Sequence, residues 1–193
     1  TVKLAQSHDR ELVIRLMTTM FADNPAVLSL IAPGKDKRAG IQSLAEFAFL
    51  KCFHRNGVWI SSNKKAVALC YRFNEGGFSL KEFLLELRFA IRFIGLTRLP
   101  SILAREAYRK KQRPADGNYY YFWFFAAFPD AGEAAFELKN GIFDLAQKAG
   151  LPIYTETSVE RNRKIYERYG FESYHQWQDS KEEVTFWFLK RTT

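Results

Sequence analysis

The residues able to do chemistry gather in the last quarter of the chain. Tyr166 lies four residues before Gly170 in a short helical pattern, Asn162 lies one turn earlier, and Glu156 ends an extended stretch just upstream. A phenol with a pKa of about 10 stays protonated at neutral pH and can serve as a general acid. Asparagine in mid-helix adds nothing to helix stability, so Asn162 reads as a group that orients a ligand or a water. Glu156 has two available roles, general base or structural acceptor for backbone N–H groups. The histidines His8, His54 and His175 form neither a triad nor a ligand pattern, and His175, among strand aromatics, reads as structural. There is no Gly-x-Ser-x-Gly, no phosphate-binding loop ending in Gly-Lys and no zinc spacing, so no metal is expected.

These groups need a rigid frame, and the composition supplies one. The chain has 193 residues, enough for one sizeable core, and 47% of them are hydrophobic. With 18 Phe, 9 Tyr and 4 Trp, a compact core is easily filled. The two cysteines, Cys52 and Cys70, fall in apolar stretches and cannot make a disulfide framework. The start of the sequence has no charged-then-apolar leader pattern and no apolar run reaches about 18 residues, so a cytoplasmic location is expected. The net charge of +8 favours an anionic partner without choosing among nucleic acid, a membrane surface and a phosphate-bearing cofactor. Nine basic and three acidic residues between Ser79 and Arg113 account for +6 of it.

Punctuation and periodicity then order the elements. A short strand at Val2 to Ala5 precedes a helix capped by Asp9 and running to about Phe21, stopped by Asp23-Asn24-Pro25. A second helix covers about Arg38 to His54. The turn at Asn56-Gly57 opens a hairpin, Val58 to Ser61 and Ala66 to Phe73. Ser79 caps a helix through Ile94, stopped by Gly95, and another runs from about Pro100 to Gln112. Leu80, Phe83, Leu84, Leu87, Ile91 and Ile94 fall near helical spacing, which predicts an apolar face packed on the molecule and a basic face in solvent. Asn118 to Phe128, with its run YYYFWFFAAF, predicts a central buried strand. A helix to Lys148 with Gly150 as its C-cap, a strand at Pro152 to Glu156, a helix at Ser158 to Tyr169 and a hairpin of Phe171 to Trp177 with Val184 to Leu189 complete the chain.

The segment LPIYTETSVERNRKIYERYGFE, Leu151 to Glu172, resembles the C-terminal half of GNAT acetyltransferases. It is closest to members reading roughly LPVYLETS-x-x-RN-x-x-x-YER-x-GFE. Leu151, Pro152, Tyr154, Glu156, Thr157, Ser158, Arg161, Asn162, Tyr166, Glu167, Arg168, Gly170, Phe171 and Glu172 match. More weakly, Phe21 to Pro25 is similar to the family's F-x-D-x-P entry after the first helix, and FFAAFP at Phe124 to Pro129 stands where the family has L-x-V-x-P. The resemblance implies one domain over residues 1–193. Its fold would be an α/β GNAT-type mixed, mostly antiparallel sheet flanked by helices, with residues 79–113 inserted between the third and fourth strands. It implies acyl transfer from acetyl-CoA or another acyl-CoA to a small-molecule amine by direct attack. Tyr166 and Glu156 would be the catalytic pair, Tyr166 protonating the departing thiolate. Backbone near Phe125, Ala126 and Ala127, a loop with Gly132, Ala134 and Ala135, and the side chains of Asn162 and Tyr166 would hold the acyl-CoA.

The loop departs from the family pattern. After its proline the family reads Gln/Arg-x-x-Gly-x-Gly/Ala, because a pyrophosphate must approach backbone N–H groups closely at a helix N-terminus. Here Pro129-Asp130-Ala131-Gly132-Glu133-Ala134-Ala135 keeps one glycine, and Glu133 brings a negative charge. Weak acetyl-CoA binding is therefore expected, and a catalytically silent GNAT-fold binding protein stands as the alternative. The basic segment Arg105 to Arg113 reads as a solvated helix face or an anion-binding lid. A role as a nucleic-acid or membrane-surface binder is a third reading, without a recognition motif. The expectation is thus no specific nucleic acid, no membrane, and a monomer or homodimer.

Overall fold

The structure is a computed structural model that describes residues 2–192. Seven strands form one sheet in the order β1-β2-β3-β4-β5-β7-β6. They are β1 (Lys3–Leu4), β2 (Val58–Ile60), β3 (Ala66–Arg72), β4 (Tyr120–Ala127), β5 (Ile153–Thr157), β6 (Glu172–Asp179) and β7 (Val184–Arg191). Every neighbouring pair is antiparallel except β4 with β5. The helices are α1 (Arg10–Met20), α2 (Pro25–Leu28), α3 (Lys37–Phe53), α4 (Leu80–Phe89), α5 (Leu99–Lys111), α6 (Glu133–Ala149) and α7 (Glu160–Arg168). The mixed, mostly antiparallel sheet expected from the sequence is what forms, and α4 and α5 lie between the third and fourth strands.

The two faces of the sheet follow from the two-residue period of a strand. Val67, Leu69 and Tyr71 of β3 pack with Val13, Leu16 and Met17 of α1 and with Ala48, Phe49 and Cys52 of α3. Ala66, Ala68 and Cys70, the alternate residues, pack with Leu138, Ile142 and Ala146 of α6. The small side chains on this second face let α6 lie close. Tyr71, Phe73, Tyr119, Tyr121 and Trp123 form a chain of ring contacts with centroids 4.9–6.5 Å apart. That is the packed form of the aromatic run.

Local signals are mostly realised. Ser79 accepts a hydrogen bond from the Glu82 N–H, and Gly150 ends α6 in the left-handed region at φ 63°. Asp9 does not cap α1 as expected. It sits in a helical conformation, so its carboxylate turns back to accept from the Gln6 N–H at 3.0 Å and from Lys64 at 3.0 Å. It thereby ties the first turn to the β2–β3 hairpin.

The insertion corrects the expectation made for it. Leu80, Phe83, Leu84, Leu87 and Ile91 are exposed, although Ile94 is buried with Phe89 and Phe93 against Ile31, Ile41 and Leu44. On the opposite side charges are buried: Glu82 meets Arg55 at 3.0 Å and His54 at 2.7 Å, and Arg105 is almost fully buried. Lys81, Arg88 and Arg92 are exposed as expected. Burying charge is prohibitive only without partners, and here partners come from distant elements that spacing alone does not reveal.

At Asn56-Gly57, Asn56 takes φ 49°, and a Cβ on Gly57 would stand 2.4 Å from the Tyr71 Cβ and 2.8 Å from the Cys70 carbonyl oxygen. Gly57→Ala should therefore lower stability by about 1–3 kcal/mol through overpacking, read as a fall in the urea midpoint with the slope unchanged. An unchanged midpoint would mean that the hairpin opens there without cost.

Candidate active site

The site is built where β4 and β5 part. Their parallel pairing covers only Tyr120 opposite Ile153 and Tyr121 opposite Tyr154. The last tie is the Thr155 hydroxyl donating to the Phe122 carbonyl at 2.8 Å. Against β3, Leu69 faces Phe124 and Cys70 faces Phe122, so Trp123 is an extra residue in β4. Such a bulge bends and twists its strand, and here it comes one residue past the last tie to β5. From Trp123 to Ala127, β4 has no ladder partner on its β5 side, while β5 continues along β7.

The strands open into a cleft of about 520 Å³. Its floor carries Tyr121, Trp123, Phe124 and Phe125 of β4, and one wall carries Glu156, Thr157 and Ser158 with Asn162 and Tyr166 of α7. The roof comes from α4 through Phe83 and Leu87, from α5 through Arg109, and from Arg113 just past the end of α5. Phe21 and Asn24 close one end; Phe21 packs edge-on against Phe124 at 5.0 Å, and the Ala26 N–H donates to the Ser158 hydroxyl at 3.2 Å. The segment Phe21 to Pro25 thus meets the end of β5, two stretches singled out separately in the sequence.

Tyr166 is partly buried beside Phe122 and Phe171, with ring centroids 6.2 and 5.3 Å away. Burial pushes its phenol up to about 12, in part offset by a hydrogen bond with the Thr155 side chain. The phenol is therefore a protonated donor across the neutral range. Asn162, exposed and one turn earlier, lines the same cleft.

Glu156 is held as the centre of an ion cluster. Its side chain is 2% exposed and accepts from Arg109 at 2.5 Å and from the Tyr121 hydroxyl at 2.9 Å, with the Arg113 Nε 3.4 Å away. Burial alone would raise its pKa; Arg109 and Arg113, with the hydrogen bonds from Arg109 and Tyr121, more than offset this and hold the carboxyl below its usual range. Of the two roles read from the sequence, the geometry suits structural anchoring, with the guanidinium N–H groups replacing the expected backbone donors. Arg109 and Arg113 were not singled out as its partners. The signal was present: Arg105, Arg109 and Arg113 recur every four residues, a helical stripe that runs along α5 into the turn after it.

The loop residues lie at the N-terminus of α6. Gly132 precedes the helix at φ 58°, where glycine is favoured, and is exposed; Ala134 is buried and Ala135 partly so. Glu133 is exposed in the first turn, which is also where an acid complements the helix dipole. Phe125 lines the cleft, and Ala126 and Ala127 follow on the unpartnered stretch of β4. Among the described residues no cluster of His, Cys, Asp or Glu could hold a metal ion.

Glu156→Gln should lower stability at pH 7 by about 3–5 kcal/mol, because it leaves the buried Arg113 without a carboxylate and Arg109 with only the half-exposed Glu106. The folded-state pKa of Glu156 is depressed, so its stabilisation is present above the unfolded value of about 4.3 and is lost as pH falls through the folded value. Urea melts of the two proteins between pH 7 and pH 3 should therefore converge on the acid side. A gap of constant size would contradict the ion-cluster role.

Comparison with family models gives no match, and comparison with curated protein sequences gives none either. Solved structures do match. The histone acetyltransferase HPA2 and related acetyltransferase from Corynebacterium glutamicum superposes with a TM-score of 0.66 at 17% identity, covering 100% of this chain and 95% of that one. The arylalkylamine N-acetyltransferase 2 from Aedes aegypti gives 0.65 at 15% identity, over 100% and 98% of the two chains. The C-terminal condensation domain of Ebony, solved with beta-alanyl-dopamine, gives 0.67 at 11% identity, over 100% and 98%. With the splayed parallel pair, the flanking helices and the chain-long superpositions, the protein has the fold of the GNAT acetyltransferases.

Proposed function

We propose that this chain transfers an acyl group from acetyl-CoA or a related acyl-CoA to a small amine. The observation that carries the reading is the opening between β4 and β5 with Tyr166 on its wall. A thioester entering between the strands meets backbone of Phe125, Ala126 and Ala127 that has no partner on its β5 side, and the N-terminus of α6 lies beyond the end of β4. The phosphates would take the N–H groups around Gly132 to Ala135, where the positive end of a helix dipole favours anions.

The amine nitrogen attacks the thioester carbonyl carbon and a tetrahedral oxyanion forms. As the C–N bond is kept and the C–S bond breaks, the sulfur takes the Tyr166 proton, the nitrogen gives its own proton to solvent, and the phenolate takes one back from solvent to restore the acid. The raised phenol pKa does not oppose this, because the burial that raises it also raises the proton affinity of a thiolate forming beside it. Glu156 serves by anchoring α5 over the cleft, since a carboxylate neutralised by two guanidinium groups is a poor base. The acceptor would lie among Phe47, Phe83, Leu87 and Trp123, which suits an amine with an apolar body.

The silent-binder reading keeps one specific support, the single glycine before α6 and the acid that follows it. Calorimetry with acetyl-CoA should give a dissociation constant of about 100 μM or weaker, equivalent to about −5.5 kcal/mol. Undetectable binding at millimolar acetyl-CoA would favour the silent reading. Tyr166→Phe should lower kcat about 100-fold while leaving that dissociation constant unchanged, because the hydroxyl is used only as the thiolate departs. An unchanged kcat would remove Tyr166 from the chemistry.

A further inference from the structure

The outward face of the insertion is unlike the rest of the surface. Leu80, Leu84 and Ile91 are 62%, 52% and 53% exposed, and Phe83 and Leu87 flank them on the same face of α4. The stripe is prolonged at both ends by Phe78 and by Leu96, which is 69% exposed. Large apolar side chains exposed singly are ordinary, whereas a continuous row along a helix marks an interaction site. Beside the row, on one flank, stand Lys81, Arg88 and Arg92, all exposed. The opposing acids are fewer: Glu82 is buried in its pairing with Arg55 and His54, which leaves Glu86 alone in solvent on this helix.

We propose that α4 and its flanking turns dock this protein onto an anionic lipid surface. An interfacial helix buries an apolar face to the depth of the headgroup boundary and sets cations among the anionic headgroups, and α4 presents both on its outer side. A second copy of the chain fits less well, because two such faces in contact would double an unbalanced positive charge. No helix is long and apolar enough to cross a membrane, and a surface-lying helix needs neither length nor uniform apolarity. In the sequence a membrane-surface role for the basic insertion lacks a recognition motif, and periodicity predicts that the apolar face of α4 packs inward. Phe83 and Leu87 also line the cleft, so the mouth of the site opens on the docking side. The inference does not depend on the proposed acyl transfer.

The test is co-sedimentation of the full chain with vesicles of phosphatidylcholine alone and of phosphatidylcholine with about one-third phosphatidylglycerol, at about 150 mM salt, with light scattering in parallel. Leu84 and Ile91 do not line the cleft, and as exposed side chains they can be replaced by glutamate without loss of fold, checked by circular dichroism. The expected result is at least tenfold stronger partitioning to the anionic vesicles. Leu84→Glu with Ile91→Glu should abolish it, and Lys81→Gln with Arg88→Gln and Arg92→Gln should weaken it about 100-fold, at about one elementary surface interaction per cation. Equal partitioning to both vesicles, or binding that survives the double glutamate variant, would overturn the proposal. A dimer that the double glutamate variant converts to monomer, with no vesicle binding, would overturn it in favour of a second copy.

Discussion

A carboxylate buried at the end of β5 governs the rest of the molecule. Glu156 cannot remain ionised there without cations, and the cations it finds are Arg109 on α5 and Arg113 just past its end, with the hydroxyl of Tyr121 from β4 completing its coordination. The insertion and β4 are thereby fixed to the end of β5. Such a cluster adds little net stability, because desolvation consumes most of the Coulomb gain, but removing one member is costly. Its effect is positional. It seats α5 over the opening between β4 and β5, where Arg109 stacks 5.0 Å from the Phe186 ring and Arg113 4.1 Å from the Tyr121 ring. Arg109 and Arg113 are thereby turned inward to the carboxylate, while on α4 Glu82 turns inward to Arg55 and the apolar row faces out beside Lys81, Arg88 and Arg92.

The opening itself has a backbone origin. One extra residue, Trp123, bends β4 just beyond its last tie to β5, and β5 keeps its pairing with β7. A parallel pair cannot separate inside a sheet without leaving polar backbone unpaired, so a ligand that satisfies those groups is the natural counterpart. Tyr166 stands on the wall of that opening because α7 follows β5 after a short turn and packs its tyrosine on Phe122 and Phe171. The covalent order strand, turn, helix thus delivers a phenol to the place where the backbone is free.

Much of this was legible in the sequence, for identifiable reasons. The strands and helices carried their own punctuation, as at Asn56-Gly57, Ser79 and Gly150. Tyr166 and Asn162 were found because their spacing to Gly170 and to the preceding strand is local, and local geometry survives folding. The role of Glu156 was not read, since Arg109 and Arg113 lie more than 40 residues earlier, and their four-residue recurrence marks a common face without naming the carboxylate that it meets. The orientation of α4 was misread for a related reason. Its apolar stripe is real, but periodicity shows only that a helix has two faces, and the inward one carries Glu82, paired with Arg55, together with Phe89, Phe93 and Ile94, which pack on Ile31, Ile41 and Leu44. Glu133 was read as a charge beside the phosphate loop, and it stands exposed in the first turn of α6, where it also complements the helix dipole.

The central claim is that the parted strands and the start of α6 form one acyl-CoA site, and backbone hydrogen exchange reads that backbone directly. Mass-spectrometric exchange with and without acetyl-CoA at about 1 mM should show slowed exchange in peptides covering residues 123–128 and 131–136, with the β6–β7 hairpin unchanged. Unchanged exchange in both of those segments at that concentration would contradict the account.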